Sequence, residues 1–396
     1  MRVEDCDVLI IGGGPAGLIA ARELAAQSPD LAVVLLERDP VIGAPVRCGE
    51  GVGSAGIGEF LDPLPGGNPA HWISRRITRV VFRAPDGTEV RVAEGDVGYI
   101  LDRTGFEPAI AAEARDAGAD IRTGVEAIGM ERDAARWRVC VSAGGECSEV
   151  RARLVVGADG VEGAVGRWAG IDTRVRARDM ESCAQYVVDD QPIDADAIVL
   201  HFGDDIAPGG YAWVFPKGPR SANVGLGVLG LRAAGRSALA WLDDYMAMNF
   251  PNARISGRTI GGVIVAATLS RLTADGVMLC GDAAHMINPL SGGGIVNAMK
   301  SGRLAAETAR RALATGDTSA NALGEYQARW MRLLGDDHVR FYQVKEALAR
   351  FDDAFYDGLA RTVNRVPEHR RTLRRIFGEA LVRHPSLLPV VAKYFI

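Results

Sequence analysis

Short unbroken apolar runs, the pattern of strands buried on both faces, recur at Val8–Ile11, Ala32–Leu36, Leu154–Val156 and Val277–Cys280. Between the first two lies an alanine-rich stretch from Gly17 to Gln27 that reads as a helix, so the chain opens as β-α-β. Residues 38–70 are rich in Gly and Pro and read as an extended loop region. Strands are expected at 77–83 and 88–93 around the turn Pro85-Asp86-Gly87, near 120–124 and 137–141, and at 259–268. Residues 180–230 alternate as several strands with glycine turns. Helices are expected over Arg103–Ala117, Ala234–Met248 and Gly294–Ala314, and the chain is helical and polar from Leu323 onward.

A chain of 396 residues accommodates two or three domains, or one large fold with an insertion. Its 48% hydrophobic and 24% charged residues suit a soluble globular protein. A net charge of −5 argues against nucleic acid as a partner, which would need a basic face. The six cysteines include no CxxC pair, and no His/Asp/Glu cluster has metal spacing, so a thioredoxin-type centre and the usual zinc and iron–sulfur sites are excluded. With Glu4, Asp5 and Asp7 ahead of the first strand there is no signal peptide, and no apolar run spans a bilayer. A cytoplasmic protein, free or resting on a membrane surface, is the expectation.

The glycine run Gly12-Gly13-Gly14-Pro15-Ala16-Gly17 follows the first strand and opens the first helix. Glu37 closes the second strand, 20 residues after Gly17. This is the arrangement of a dinucleotide site. Gly12 allows the tight turn, Gly14 lets backbone amides reach a pyrophosphate, and Gly17 lets helix and sheet pack closely. Glu37 accepts from ribose hydroxyls, while Ala16 belongs to the same phosphate turn. Gly225-Leu226-Gly227-Val228-Leu229-Gly230 also satisfies GxGxxG, but Asn249 and Phe250 stand where an acid is needed. It reads as a strand with close backbone approach. Without a second dinucleotide domain, an electron donor must dock transiently.

GGGPAG with Glu37, Gly157-Ala158-Asp159-Gly160, and Gly281-Asp282 with the stretch Asn288 to Gly294 together resemble the FAD-binding set of the p-hydroxybenzoate hydroxylase-like flavoproteins. Two further stretches resemble the geranylgeranyl reductases within that group. These are Pro45-Val46-Arg47-Cys48-Gly49-Glu50-Gly51 and Tyr211-Ala212-Trp213-Val214-Phe215-Pro216 with Gly225 and Gly227. The resemblance covers residues 1 to about 320. It implies an α/β fold with a discontinuous Rossmann-like FAD domain (1–75, 96–175, 268–322) and an inserted, mostly antiparallel β substrate domain (76–95, 176–267). A C-terminal helical region, 323–396, follows. It also implies FAD contacts from Arg38, Arg47, Cys48, Gly49, Asp159, Gly281 and Ile295, and from Arg103 to the pyrophosphate.

Asp282, at the carboxyl end of a strand, is placed to hydrogen-bond a ribityl chain. A helix opening at Gly293-Gly294 aims N–H groups at the N1/O2 edge of a flavin and stabilises its anionic reduced form. Tyr211, Trp213 and Phe215 alternate on one strand face. Alternation alone means a core face; with the resemblance they wall a cavity for an isoprenoid chain, whose burial supplies about 0.8 kcal/mol per CH₂. Reducing an unpolarised double bond needs a hydride on one carbon and a proton on the other. Cys48, Glu50 and water are the candidate donors. The basic, amphipathic stretch Arg361, Arg365, Arg370, Arg371, Arg374, Arg375 and Arg383 reads either as a solvated helical cap or as a face for anionic lipid.

The reaction expected is saturation of geranylgeranyl chains on archaeal-type glycerophospholipid precursors. Geranylgeranyl diphosphate, a chlorophyll precursor or a menaquinone tail are alternative substrates. The donor is open between NADPH, ferredoxin and a deazaflavin. An aromatic monooxygenase or halogenase shares the flavin set, although the halogenase pattern WxWxIP is absent. A lipid-binding electron-transfer flavoprotein without turnover is a further alternative.

Overall fold

The computed structural model describes residues 3–61 and 71–371. The chain divides into two compact units. The first comprises Met1–Val46, Arg103–Arg174 and Ala266–Val339, the second Arg47–Asp102, Val175–Val265 and Arg340–Ile396.

The first unit is built on parallel strands in the order Val277–Leu279, Glu146–Gly157, Val3–Ile11, Val33–Glu37, Asp120–Thr123. Val8, Leu9 and Ile10 are fully buried, as their unbroken apolar run requires of a strand covered on both faces. An antiparallel ribbon, Val125–Asp133 with Arg136–Ala143, extends from Glu146–Gly157. The helices Pro15–Gln27 and Ile295–Thr315 approach closely because Gly302 has no side chain. A Cβ there would stand 2.2 Å from the Ala16 carbonyl oxygen. The helix Ala320–Trp330 joins this unit, and its buried Tyr326 hydroxyl donates to the Leu279 carbonyl at 2.7 Å.

The second unit is one sheet in the order Arg254–Ile264, Met180–Asp189, Ser221–Leu229, Tyr211–Gly218, Ala197–His201, Ile73–Arg83, Glu89–Leu101, Gly51–Gly53. It is antiparallel except where Ala197–His201 runs parallel to Ile73–Arg83. One face buries Ala184, Tyr186, Val188, Val214, Val224, Leu226 and Val228 against Leu242, Tyr245 and Met246 of the helix Ala238–Asn249.

The fold differs from the expected boundaries in three places. The segment from Arg47 joins the β unit because Gly51–Gly53 pairs with Glu89–Leu101. It also contains a helix, Ser54–Leu61, which buries Ile57 and Phe60 where a loop was expected. The described C-terminal helices form no separate body: the chain up to Val339 packs in the first unit and residues 340–371 in the second. There Lys345 donates to the Val265 carbonyl at 2.8 Å. The helix expected from Ala234 begins at Ala238, since Ala234 and Gly235 take positive φ and the Ser237 hydroxyl caps the Ala240 N–H.

Candidate functional site

In the first unit the carboxyl edge of the parallel sheet carries the glycine turn. Gly12 donates to the Leu36 carbonyl at 2.8 Å with φ near +108°, and a Cβ there would lie 2.2 Å from the Ala158 oxygen. A Cβ on Gly17 would lie 2.0 Å from the Gly12 oxygen. Gly14 is different: it caps the helix Pro15–Gln27 without a side-chain partner, and nothing lies within 4 Å of its missing Cβ. Unpaired helix N–H groups therefore face open space, as a pyrophosphate requires. Glu37 accepts from the Gly13 N–H and from the Asp39 N–H, each at 2.7 Å, which fixes the turn and leaves lone pairs for a ribose. Arg38 pairs with Glu162 at 2.6 Å on the surface.

Gly294 likewise caps the helix Ile295–Thr315 with no side-chain partner. The preceding loop is held by Asn288, whose Oδ1 accepts from the N–H groups of Leu290 and Ser291. Gly281 is anchored by donation to Ser301 Oγ at 3.1 Å. Burial pushes the Asp282 carboxyl up to about 6, against the pull of the Arg103 charge. Arg103 bonds Glu107 through Nε at 2.7 Å and through a terminal nitrogen. Asp159 caps the short helix Val165–Trp168, accepting from Ala164 and Val165 N–H at 2.6 and 2.9 Å. Two uncapped helix ends, an open glycine turn and a recessed acid together fit FAD. When bound and reduced, FAD supplies hydride.

Behind the second helix end lies a network that motif reading missed. Asn297 Nδ2 donates to the Met286 carbonyl at 3.0 Å and stands 3.1 Å from His338 Nε2. An amide can only donate there, so Nε2 accepts and the ring proton sits on Nδ1, 3.3 Å from Thr268 Oγ1. Trp330 Nε1 donates to the same hydroxyl at 3.2 Å. Burial lowers the His338 pKa to about 4.

In the second unit Tyr211, Trp213 and Phe215 occupy the sheet face opposite the helix-covered core. They are half-buried, with successive ring centroids 6.1 and 6.2 Å apart, and Phe202 extends the row at 5.9 Å from Tyr211. Pro216 falls on the other face with Ala212 and Val214, so its ring is not part of this row. Beside the row stand Gly225 and Gly227, and the space their missing side chains leave is taken by the Trp213 ring and by the Glu181 carboxyl. Beyond them the strand Met180–Asp189 presents Glu181, Cys183 and Gln185 to the same face. Strand alternation alone would have placed these three beside the glycines.

The loop Arg47–Gly51 lies against this face. A Cβ on Gly49 or Gly51 would stand 2.9 or 3.0 Å from the Phe215 ring, so a side chain at either position would push the ring aside. Gln185 accepts from Trp213 Nε1 and donates to the Cys48 carbonyl, both at 3.0 Å. Asn223 donates to the Gly49 carbonyl at 3.2 Å and to Glu50 Oε2 at 2.8 Å. Lys217 forms an ion pair with the same carboxylate. Glu50 thus fastens the loop, and the Cys48 sulfur accepts from the Glu50 N–H at 3.2 Å.

Among the described residues no group of His, Cys, Asp and Glu could hold a metal ion, and no helix is long and apolar enough to cross a membrane. Arg361 of the basic stretch pairs with Asp86 at 2.8 Å. Arg374, Arg375 and Arg383 lie outside the described residues.

Residues 179–264 match the model of the geranylgeranyl reductase catalytic domain, and residues 78–221 that of an FAD binding domain. The digeranylgeranylglycerophospholipid reductase of Methanosphaerula palustris is 41% identical over 389 residues, covering 96% of both chains. That of Methanocella arvoryzae is 39% identical over 392 residues, 97% of this chain and 98% of its own. The crystal structure of a geranylgeranyl bacteriochlorophyll reductase-like protein from Thermoplasma acidophilum superposes with a TM-score of 0.91 at 31% identity. It covers 99% of this chain and 100% of its own. A flavin-dependent brominase, at 17% identity and a TM-score of 0.69 over 91% of this chain and 99% of its own, shares the fold.

Proposed function

The chain belongs to the geranylgeranyl reductase family, and from that premise we propose a division of labour between its residues. The protein is an FAD-dependent oxidoreductase that saturates carbon–carbon double bonds of geranylgeranyl chains. The Gly12–Gly17 turn and the first helix end bind the pyrophosphate. Glu37 holds the adenosine ribose, Asp282 the ribityl chain, and the helix end at Gly294 the flavin edge. Arg103 steadies the negative charge around them. Tyr211, Trp213 and Phe215 hold the prenyl chain against their ring faces, and Gly225 gives the Trp213 indole its seat. Glu50, committed to Lys217 and Asn223, positions the loop that carries Arg47, Cys48 and Gly49.

The substrate we propose is a digeranylgeranyl glycerophospholipid. One observation carries the prenyl assignment: three large, half-buried rings and two glycines share the sheet face turned away from the unit's own core. An apolar chain buries about 25 cal/mol per Å² on such a surface, whereas a small hydroxylated aromatic would need convergent polar groups. The donor docks transiently, and contact with the lipid surface is peripheral. The test is anaerobic. Enzyme reduced chemically is mixed with the lipid, flavin reoxidation is followed by absorbance, and mass spectrometry must find H₂ added per double bond. A lipid that leaves the flavin reduced refutes the reading, and dioxygen consumption with an aromatic substrate would replace it with a monooxygenase.

A further inference from the structure

Two stretches of the first unit carry groups assigned to the flavin: the turn Gly281–Met286 with Asp282, and the helix end at Gly294. They stand side by side, with Asp282 Oδ1 3.5 Å from where a Cβ on Gly294 would be. Two side chains of the helix Ile295–Thr315 tie them together. Ser301 holds the start of the turn, and its hydroxyl is completed within the helix by donating to the Ala298 carbonyl at 2.7 Å. Asn297, in the helix's first turn, holds the other end with one amide hydrogen on the Met286 carbonyl. Its second amide hydrogen needs an acceptor from another element, and meets Nε2 of His338.

The fold supplies that acceptor through an irregularity. Between Trp330 and His338 the helix widens over Met331–Gly335, where the Asp336 N–H reaches back five residues to the Met331 carbonyl. Such turns are rare and recur at functional sites. The wide turn absorbs one residue, so side chains eight positions apart meet on one face, about two ordinary turns from each other. The two rings pack edge to face with centroids 5.6 Å apart, and both lean on Thr268 Oγ1. His338 is 1% exposed, and burial lowers its pKa to about 4, so Nε2 remains an acceptor throughout the neutral range.

Resting on the flavin placement above, we infer that His338 is a positioning residue for the cofactor. Through Asn297 it fixes the helix end at Gly294 against the Asp282 turn, and so sets how much more tightly the reduced, anionic flavin is held than the oxidised one. A helix end carries about half a positive charge, and its pull on an anion fades within the first turn. A first turn free to drift loses part of that preference, while the Gly12–Gly17 turn still holds the cofactor.

The experiment reads the midpoint potential of the bound flavin against a reference dye, in FAD-loaded protein under anaerobic conditions. His338→Phe fills the space but offers no acceptor, whereas His338→Gln offers one. Asn297→Ala removes the other partner at a half-buried position, so the link is tested even where the Phe variant fails to fold. His338→Phe and Asn297→Ala should each lower the ratio of reduced- to oxidised-flavin affinity about three- to tenfold, a fall of about 15–30 mV for a two-electron couple. His338→Gln should stay close to wild type. The double variant should fall no further than either single one, since the two residues act as one link. A merely structural histidine would lower the melting temperature and leave the potential where it was. An unmoved potential in His338→Phe and Asn297→Ala, a Gln variant that falls as far as Phe, or an additive double variant overturns the assignment. The infrared band of the flavin C2 carbonyl separates this from the placement on which it rests. In wild type the band should be shifted from that of free FAD. An unshifted band refutes the flavin's seat at Gly294, whereas a shifted band with unmoved potentials overturns only the role of His338.

Discussion

Trp213 packs directly on Gly225: a Cβ on the glycine would stand 2.4 Å from the ring's Cζ2 and 2.7 Å from the Ala184 carbonyl oxygen. Rotating the indole away relieves only the first clash and breaks its bond to Gln185. Gly225→Ala is therefore expected to destabilise the β unit by about 1–3 kcal/mol, the usual cost of overpacking, and to weaken prenyl binding. Thermal melts and lipid titration check both. An Ala variant with unchanged melting and affinity would contradict the packing described.

Lys217 and Asn223 hold the buried Glu50 carboxylate. Removing the cation with Lys217→Met takes the ion-pair partner from that buried charge, a loss of about 3–5 kcal/mol for a fully buried pair and less here because Lys217 is partly exposed. The loop should loosen before the sheet does. Alkylation of the half-buried Cys48 should then quicken by more than the drop in global stability explains. Alkylation at the wild-type rate would show that Glu50 does not fasten the loop.

Gly12 and Gly14 should separate folding from cofactor binding. Gly12→Ala meets the Ala158 carbonyl and a positive φ, so it should lower stability and flavin content together. Gly14→Val has no protein atom within 4 Å of its Cβ. It should cost only about 1 kcal/mol, as a poorer helix cap, while losing FAD, measured as the flavin-to-protein absorbance ratio after purification. Full flavin retention in Gly14→Val would mean the pyrophosphate lies elsewhere.

His338 is neutral in the folded protein, with its pKa lowered by burial from 6.5 to about 4. Between those values the unfolded chain binds more protons than the folded one, so stability rises with pH across the window. It is lost as pH falls from about 6.5 toward 4, by an amount on the order of 3 kcal/mol. Urea unfolding of His338→Gln should show a flatter slope over that window. Asp282 and Glu181, whose carboxyls burial raises to about 6 and about 7, act in the opposite sense. The test is therefore the difference between variant and wild type rather than either curve alone.

The glycine turn, Glu37 and the parallel strands were legible because a fixed order of strand, turn and helix has a periodic apolar signature. The aromatic row was legible as alternation, but not as a face turned away from the core. That depended on the helix Ala238–Asn249 covering the opposite side. The helix Ser54–Leu61 escaped because surrounding Gly and Pro masked the spacing of Ile57 and Phe60. Glu50 looked like an acid for chemistry, since nothing local announces that Lys217, 167 positions away, neutralises it. His338 owes its character to burial, a property of the finished fold.

The two units interleave along the chain, each drawing on three separated stretches, with the last junction at Arg340. The first unit cannot close its hydrophobic interior while the ribosome still holds Ala266–Val339, and in the second Ala84, Val90 and Val92 wait for Ala360 and Val363. The growing polypeptide must carry unpaired sheet edges through most of its synthesis, a condition that invites aggregation. Assembly in the cell should then lean on holding chaperones, and a premature stop anywhere before residue 340 should leave two defective bodies rather than one sound half.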